Sequence, residues 1–342
     1  MKAVFSPLQK LHAPQRVIRY GRLVNYPETP ERITALLEGV RDAGIPLHAA
    51  RRFPLEAFKG VHSLRYMTFL RTVFAQWSAQ MGALSPIAPG PRPHVRPASY
   101  PRSIAGRAGW HMPDTTAPIE KNTWKAARAA ADTALSAARM ILKGERAAYA
   151  LCRPPGHHAG FETAAGFCYI NNTALAAQAL SREFTRLAIL DIDVHHGNGT
   201  QEIFYDRADV YTISLHADPN VTYPFFHGYE HEIGEGAGYG FNLNIPLQPG
   251  SDDEIWMGAV EYACRRIEAY RAEAIVVALG LDTMKNDALI RAANLTAQGL
   301  AAIARRIAAL GLPTVIVQEG GYSPENLRTG IAAFLPAWRS PG

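Results

Sequence analysis

The stretch Leu187–Thr200, LAILDIDVHHGNGT, decides how the rest of the chain is read. Leu187–Leu190 is a short apolar run, long enough for a buried strand and too short for a helix. Asp191, Asp193 and His195 follow at every second position. If the strand stays extended through them, all three side chains share one face. Gly197, Asn198 and Gly199 then break it. Carboxylates gathered at a buried strand end repel one another unless a cation or a proton lies between them. Aspartate oxygen and histidine nitrogen suit Zn²⁺ or a similar divalent ion. The plainer alternative is a strand end with solvated acids and an ordinary histidine.

The same arrangement of strand, chemistry and helix occurs three more times. Ala147–Cys152 runs into Arg153, Pro154, Pro155, Gly156, His157 and His158. Ala274–Leu279 runs into Gly280, Leu281 and Asp282, and Pro313–Gln318 into Glu319, Gly320, Gly321 and Tyr322. Helical patterns at Asn172–Arg182, Ile255–Ala272 and Thr296–Leu310 separate the units. This alternation predicts an α/β fold: one domain over residues 1–342, in three α/β/α layers around a central, mainly parallel sheet. In such sheets the site forms outside the carboxyl ends of the strands. Upstream, Lys2–Phe5 reads as a first strand and Leu11–Tyr26 as loop. Glu31–Ala43 reads as a helix stopped by Gly44, Tyr66–Trp77 as a second, and Thr123–Lys143 as an Ala-rich third. Between the last two, Met81–Lys121 is rich in Pro and Gly and has no clear period. A stretch of that length reads as a loop insertion serving as an oligomer contact or a lid.

Composition narrows the function classes. The 342 residues are 48% hydrophobic and 19% charged, ordinary values for a chain with a large core. The net charge of +5 is spread along the chain, with no Lys/Arg block to serve as a nucleic-acid arm. No 18-residue apolar run predicts a membrane span, and the N-terminus lacks the apolar segment of a signal peptide. Cys152, Cys168 and Cys264 are far apart and read as buried thiols in a reducing cytoplasm.

Asp193, His195 and Asp282 would supply three protein ligands, the number a catalytic zinc takes while keeping a position for water or substrate. His157 and His158 follow a stiff Pro-Pro-Gly segment, which could set one ring near an attacking water and the other near a leaving group. Asp191 would orient His157, and Asn198 would partner His158. Tyr322, after two glycines, could hydrogen-bond an oxygen that turns negative during acyl attack. Gly166 and Phe167 could line a narrow channel, with Tyr223, Phe225 and Phe226 as further wall residues. Together these parts describe metal-assisted hydrolysis of an amide.

The motifs RPPGHHA (Arg153–Ala159), GFCYINN (Gly166–Asn172), DIDVHHGNGT (Asp191–Thr200), SLH (Ser214–His216), GLDT (Gly280–Thr283) and EGGY (Glu319–Tyr322) resemble those of the zinc-dependent histone deacetylase family. The likeness runs from about Tyr26 to the last helix and implies the arginase–deacetylase fold. Within the family, the chain is most similar to the bacterial acetylpolyamine amidohydrolases, notably over Ser214–Gly240 and at Asp282-Thr283. The resemblance places zinc on Asp193, His195 and Asp282, and catalysis on His157, His158 and Tyr322; Fe²⁺ or Co²⁺ could occupy the same ligands. It adds a structural K⁺ near Asp191, Asp193, His195, Ser214 and Leu215. It also implies homodimerisation through the 81–121 loop, which narrows the channel mouth.

The implied substrate is a small N-acetylated amine, an acetylpolyamine first. The alternatives are acetyl-lysine or a non-polyamine acyl amide, and more remotely a non-catalytic sensor of small molecules. Asn198 stands where one class of these enzymes has Asp. Ala105 and Thr116 stand where acids that attract a polycation are expected, with only Asp114 and Glu120 nearby, and Lys285 follows the metal motif.

Overall fold

Each apolar run named above becomes a strand with both faces covered. The computed structural model describes residues 1–82, 86–90 and 99–338. The chain begins with β1 (Lys2–Phe5), β2 (Arg16–Arg19), β3 (Arg22–Asn25), α1 (Glu31–Asp42), β4 (Leu47–Ala49), α2 (Leu64–Met81), α3 (Ile104–His111) and α4 (Thr123–Ile141). It continues through β5 (Ala147–Ala150), α5 (Asn172–Leu180), β6 (Leu187–Asp191), α6 (Asn198–Phe204), β7 (Val210–Ala217) and β8 (Asn242–Leu247). It ends with α7 (Asp253–Tyr270), β9 (Ala274–Leu279), α8 (Ala297–Ala308), β10 (Thr314–Gln318) and α9 (Pro324–Phe334).

Eight strands form one sheet in the order β4-β1-β5-β10-β9-β6-β7-β8, and every pairing in it is parallel. Alternation along the central strands builds two cores. Ala148, Ile189, Val276, Val315 and Val317 face α4 and α5. Tyr149, Leu190, Ile275, Val277 and Ile316 face α7, α8 and α9. Burying each of the larger aliphatic side chains contributes about 1.5–3 kcal/mol. The alanines of α4 are explained by its position: the helix is buried on nearly every side, and small side chains let it approach the sheet closely.

Three sequence expectations are corrected. Leu11–Tyr26 is not loop throughout, because β2 and β3 pair as an antiparallel hairpin. Its turn residues Tyr20 and Gly21 have φ of 49° and 74°, the positive pair that a two-residue hairpin turn requires. The 81–121 stretch contains α3, started by Ser103, whose side chain accepts from the Gly106 N–H at 3.1 Å. Residues 83–85 and 91–98 of that stretch lie outside the described residues. Finally, β4, β7 and β8 extend the sheet beyond the expected units.

Under the sheet's carboxyl edge lies a buried ion cluster. Glu28 Oε1 is 2.6 Å from Arg32 Nη1 and 2.8 Å from Arg153 Nε, and all three side chains are at most 2% exposed. Arg153 also donates to the carbonyls of Gln9, His12 and Glu28, which anchors the segment leading to His157. Removing one partner of such a cluster leaves an uncompensated buried charge. Glu28→Ala should therefore lower stability by about 3–5 kcal/mol, seen as a lower urea midpoint. A midpoint equal to wild type would show that the two arginines are satisfied by backbone carbonyls alone.

Candidate metal centre and active site

The four strands that carry the motifs, β5, β10, β9 and β6, are consecutive in the sheet. Their carboxyl ends therefore meet in one place. Strand β6 ends at Asp191, so simple alternation does not aim Asp193 and His195 as the sequence suggested. Two tight bends do so instead. The Asp193 N–H donates to Asp191 Oδ1 at 3.0 Å, and the His195 N–H to Asp193 Oδ1 at 2.9 Å.

Asp193, His195 and the post-β9 residue Asp282 offer three ligand atoms that lie within 4.8 Å of one another, all from buried residues. His195 Nδ1 is 3.1 Å from Asp193 Oδ1 and 3.3 Å from Asp282 Oδ2. Asp282 Oδ2 is buried and accepts no hydrogen bond. Burial, and then the neighbouring Asp193 charge, push the Asp282 carboxyl up to about 7. His195 is pushed to about 9, because the Asp193 and Asp282 carboxylates beside it outweigh burial. Two carboxylates crowded together with an orphaned oxygen make a site that a divalent cation fits, since it would neutralise both at once.

A second buried trio, His157, Cys168 and Glu319, also lies within 4.8 Å. Its donors are already engaged. Glu319 accepts from the N–H groups of Gly156 and His157 at 2.6 and 3.1 Å and from the Thr173 hydroxyl at 2.7 Å. Cys168 donates to the Gly166 carbonyl. Glu319 is thus a brace for the histidine segment, a role that its place in the sequence pattern did not reveal.

His157 and His158 stand against the metal trio with ring centroids 4.0 Å apart. Their partners differ in charge. His157 Nδ1 meets Asp191 Oδ2 at 2.9 Å, whereas His158 Nδ1 meets the neutral Asn198 Oδ1 at 2.8 Å. Burial disfavours charge on both rings. The Asp191 and Asp193 carboxylates overcome it at His157 and push that ring up to about 10. At His158 the positive charges of His157 and His195 add to burial, and the ring is held well below the usual imidazole range. Gly166 is required beneath it, because a Cβ there would come within 2.2 Å of His158 Cδ2.

Tyr322 follows Gly320 and Gly321. Burial, and then the Asp282 charge, raise its phenol well above the usual range, so it stays protonated. Its ring meets Phe167 edge-on at 5.9 Å, and the Arg32 guanidinium sits over it at 5.1 Å. Arg32 also donates to the carbonyls of Gly321 and Glu319, both at 2.6 Å.

The expected wall residues largely converge. Tyr223 meets His158 edge-on at 4.9 Å and Phe225 at 6.4 Å. Phe225 in turn faces Tyr20 of the hairpin turn. Phe226 is 82% exposed and forms no wall. The Tyr223 hydroxyl donates to Asp114 Oδ2 at 2.7 Å, so one carboxylate of the 81–121 stretch reaches this cluster of rings. Ser214 on β7 pairs in register with Asp191, with Leu215 beside it.

Comparison with known proteins bears on the family and the fold. Residues 26–337 match the model of the histone deacetylase domain. The chain is 40% identical to the acetylpolyamine amidohydrolase of Burkholderia pseudomallei, over 98% of each chain. It is 42% identical to acetylpolyamine amidohydrolase 1 of Pseudomonas aeruginosa, over 99% of each. The solved acetylpolyamine aminohydrolase of B. pseudomallei superposes with a TM-score of 0.94 over 99% of this chain and 98% of that one, at 38% identity. The HDA15 HD domain gives 0.81 at 25% identity, over 98% and 90%. The arginase–deacetylase fold expected from the motifs is the fold found.

Removing divalent metal with a chelator should lower the melting midpoint of the wild type, because an ion bound only to the folded state stabilises it. In Asp282→Ala that shift should vanish, and the protein should purify with less than about a tenth of the wild-type metal content. Full metal occupancy in the variant would place the ion elsewhere.

Proposed function

The chain belongs to the histone deacetylase family, and from that premise we propose that it hydrolyses the acetyl amide of small N-acetylated amines, acetylpolyamines first. The reaction class is hydrolytic deacetylation. The observation that carries the site is the buried Asp193–His195–Asp282 trio with the His157–His158 pair against it. Relatives named acetylpolyamine amidohydrolase, similar over the whole length, support the substrate class.

Zinc is the ion assigned to the trio, and Fe²⁺ or Co²⁺ suits the same donors. When bound, such an ion supplies a Lewis acid that polarises the acyl carbonyl and makes water more acidic. The side chains divide the remaining work. His158 bonds a neutral amide through Nδ1, which leaves Nε2 as an acceptor for the proton of the attacking water. His157, tied to Asp191, carries positive charge beside the developing negative charge. The Tyr322 phenol donates to the oxygen that becomes the oxyanion. His158 then returns its proton to the departing nitrogen. Gly166, Phe167, Tyr223 and Phe225 confine the substrate to a slender chain. Asp191, Asp193, His195, Ser214 and Leu215 form the surroundings of a structural K⁺, and the 81–121 stretch is the contact of a homodimer.

Asp114 is the carboxylate available for a distal ammonium. A second reading, an acyl amide without a cationic tail, draws support from Ala105 and Thr116, which add no charge there.

Tyr322→Phe should lower kcat by about 10²-fold or more with metal content unchanged; wild-type turnover would remove the phenol from the mechanism. The substrate class is tested by kcat/KM of the metal-loaded enzyme on acetylputrescine, acetylcadaverine, acetylspermidine, an acetyl-lysine peptide and a neutral or anionic acetylated amine. Acetylpolyamines should lead. Asp114→Asn should raise their KM about tenfold while leaving the neutral amide within about twofold. Preference for the neutral or anionic amide would overturn the polyamine assignment and favour the second reading.

A further inference from the structure

Tyr322 has to meet the substrate oxygen within hydrogen-bond reach, yet two residues without side chains precede it. Gly321 has φ of +117°, which only glycine adopts readily. The aim of the phenol therefore depends on what grips the main chain. Arg32 holds the carbonyls of Glu319 and Gly321, and the Gly320 N–H donates to Asp193 Oδ2 at 2.8 Å. The grip on Tyr322 itself comes from elsewhere. Its N–H donates to Asp287 Oδ2 at 2.8 Å.

Asp287 is 2% exposed and lies five residues past Asp282. Its other oxygen, Oδ1, accepts from the N–H groups of Leu289 at 2.8 Å and Ile290 at 3.3 Å. That is the self-bonded turn an Asp makes with the residues just after it. Leu289, placed by this turn, packs with Tyr322 against Val17, Tyr26 and Phe167. A second tie runs between the same segments, from Asn326 Nδ2 to the Lys285 carbonyl at 3.1 Å. One carboxylate thus joins two neighbours in the site, the phenol's main chain and an apolar wall residue.

We propose that Asp287 is a positioning residue for deacetylation, setting the Tyr322 phenol against the channel wall at Leu289. The inference rests on the oxyanion role of Tyr322. Both carboxylate oxygens are in use, so no neutral replacement keeps both ends. Asparagine has a single acceptor oxygen. Serine keeps the local turn, since its hydroxyl can accept from the following N–H groups, but it is too short to reach the Tyr322 N–H as well.

The test is Asp287→Ser in wild-type and Tyr322→Phe backgrounds, with Asp287→Asn making the same comparison should the serine variant not fold. In the wild-type background kcat should fall about tenfold, with KM within about threefold and metal content unchanged. In the Tyr322→Phe background the same change should cost less than about twofold, because the group it positions is gone. Amide hydrogen exchange in metal-free protein should quicken across residues 319–326. Equal losses in both backgrounds, an unchanged kcat, or unchanged exchange at 319–326 would each overturn the proposal. If Tyr322→Phe alone kept full turnover, the oxyanion role would fail, and the exchange measurement would still decide whether Asp287 holds the Tyr322 amide.

Discussion

Two aspartates buried side by side are the constraint from which the rest of this structure follows. Asp193 and Asp282 are both fully buried, and Asp282 keeps an oxygen without a donor. Taking a carboxylate out of water costs several kcal/mol even after relaxation. A fold optimised for stability alone would not place two of them together. The surroundings are shaped to permit it. A Cβ at Gly280 would come within 2.2 Å of Asp193 Oδ2, and one at Gly320 within 2.2 Å of Asp282 Oδ2. Backbone N–H groups at Gly320, Val194 and His195 point at these oxygens. What the backbone leaves uncompensated is the demand for a cation, and that demand is the site's chemistry.

The loops around the centre are fixed by charged groups whose partners are mostly main-chain atoms. Glu319 holds the N–H groups of Gly156 and His157. Arg32 holds the carbonyls of Glu319 and Gly321, and Arg153 those of Gln9, His12 and Glu28. Such bonds fix where a backbone lies, whatever side chain it carries. Fixed main chain is what the site requires, because a displacement of about 1 Å can cost on the order of 100-fold in rate. Glu28 then joins Arg32 and Arg153, so the segment before the histidines and the segment before Tyr322 share one ionic anchor.

The sequence showed the chemistry more clearly than the frame around it. The four motif-bearing strands were legible because they are buried on both faces and read as unbroken apolar runs. Their order, β5-β10-β9-β6, was not, since no local pattern records which strands become neighbours. Strands β7 and β8 were hidden because polar residues sit within them. In β7, Thr212, Ser214 and His216 are buried and hydrogen-bonded, so the strand looks mixed while being entirely interior. The β2–β3 hairpin was lost among arginines, although Tyr20-Gly21 carried its turn. Glu319, Arg32 and Asp287 act on distant main chain, and their partners, up to 289 residues away, leave no trace in spacing. An acid five residues past Asp282 was the available hint for Asp287.

The aromatic cluster beside the centre is built on a different principle. Phe167 and Phe225 both have φ of 66°, a backbone state that bulky residues avoid, at a cost of order 1–3 kcal/mol each. The strain coincides with placement: Phe167 meets Tyr26 and Tyr322 edge-on at 5.4 and 5.9 Å, and Phe225 bridges Tyr223 and Tyr20. Apart from Tyr322, these rings come from the hairpin and from loops, whereas the metal and histidine groups sit in the segments that follow strands β5, β6 and β9. Loops can change without moving a sheet. The candidate metal and proton groups and the aromatic cluster therefore come from separate parts of the chain. The hairpin adds Arg16, Arg19 and Arg22, while the carboxylate bound to a wall ring is Asp114. On the function proposed above, changes confined to those loops would alter the amine accepted and leave the metal and proton groups in place.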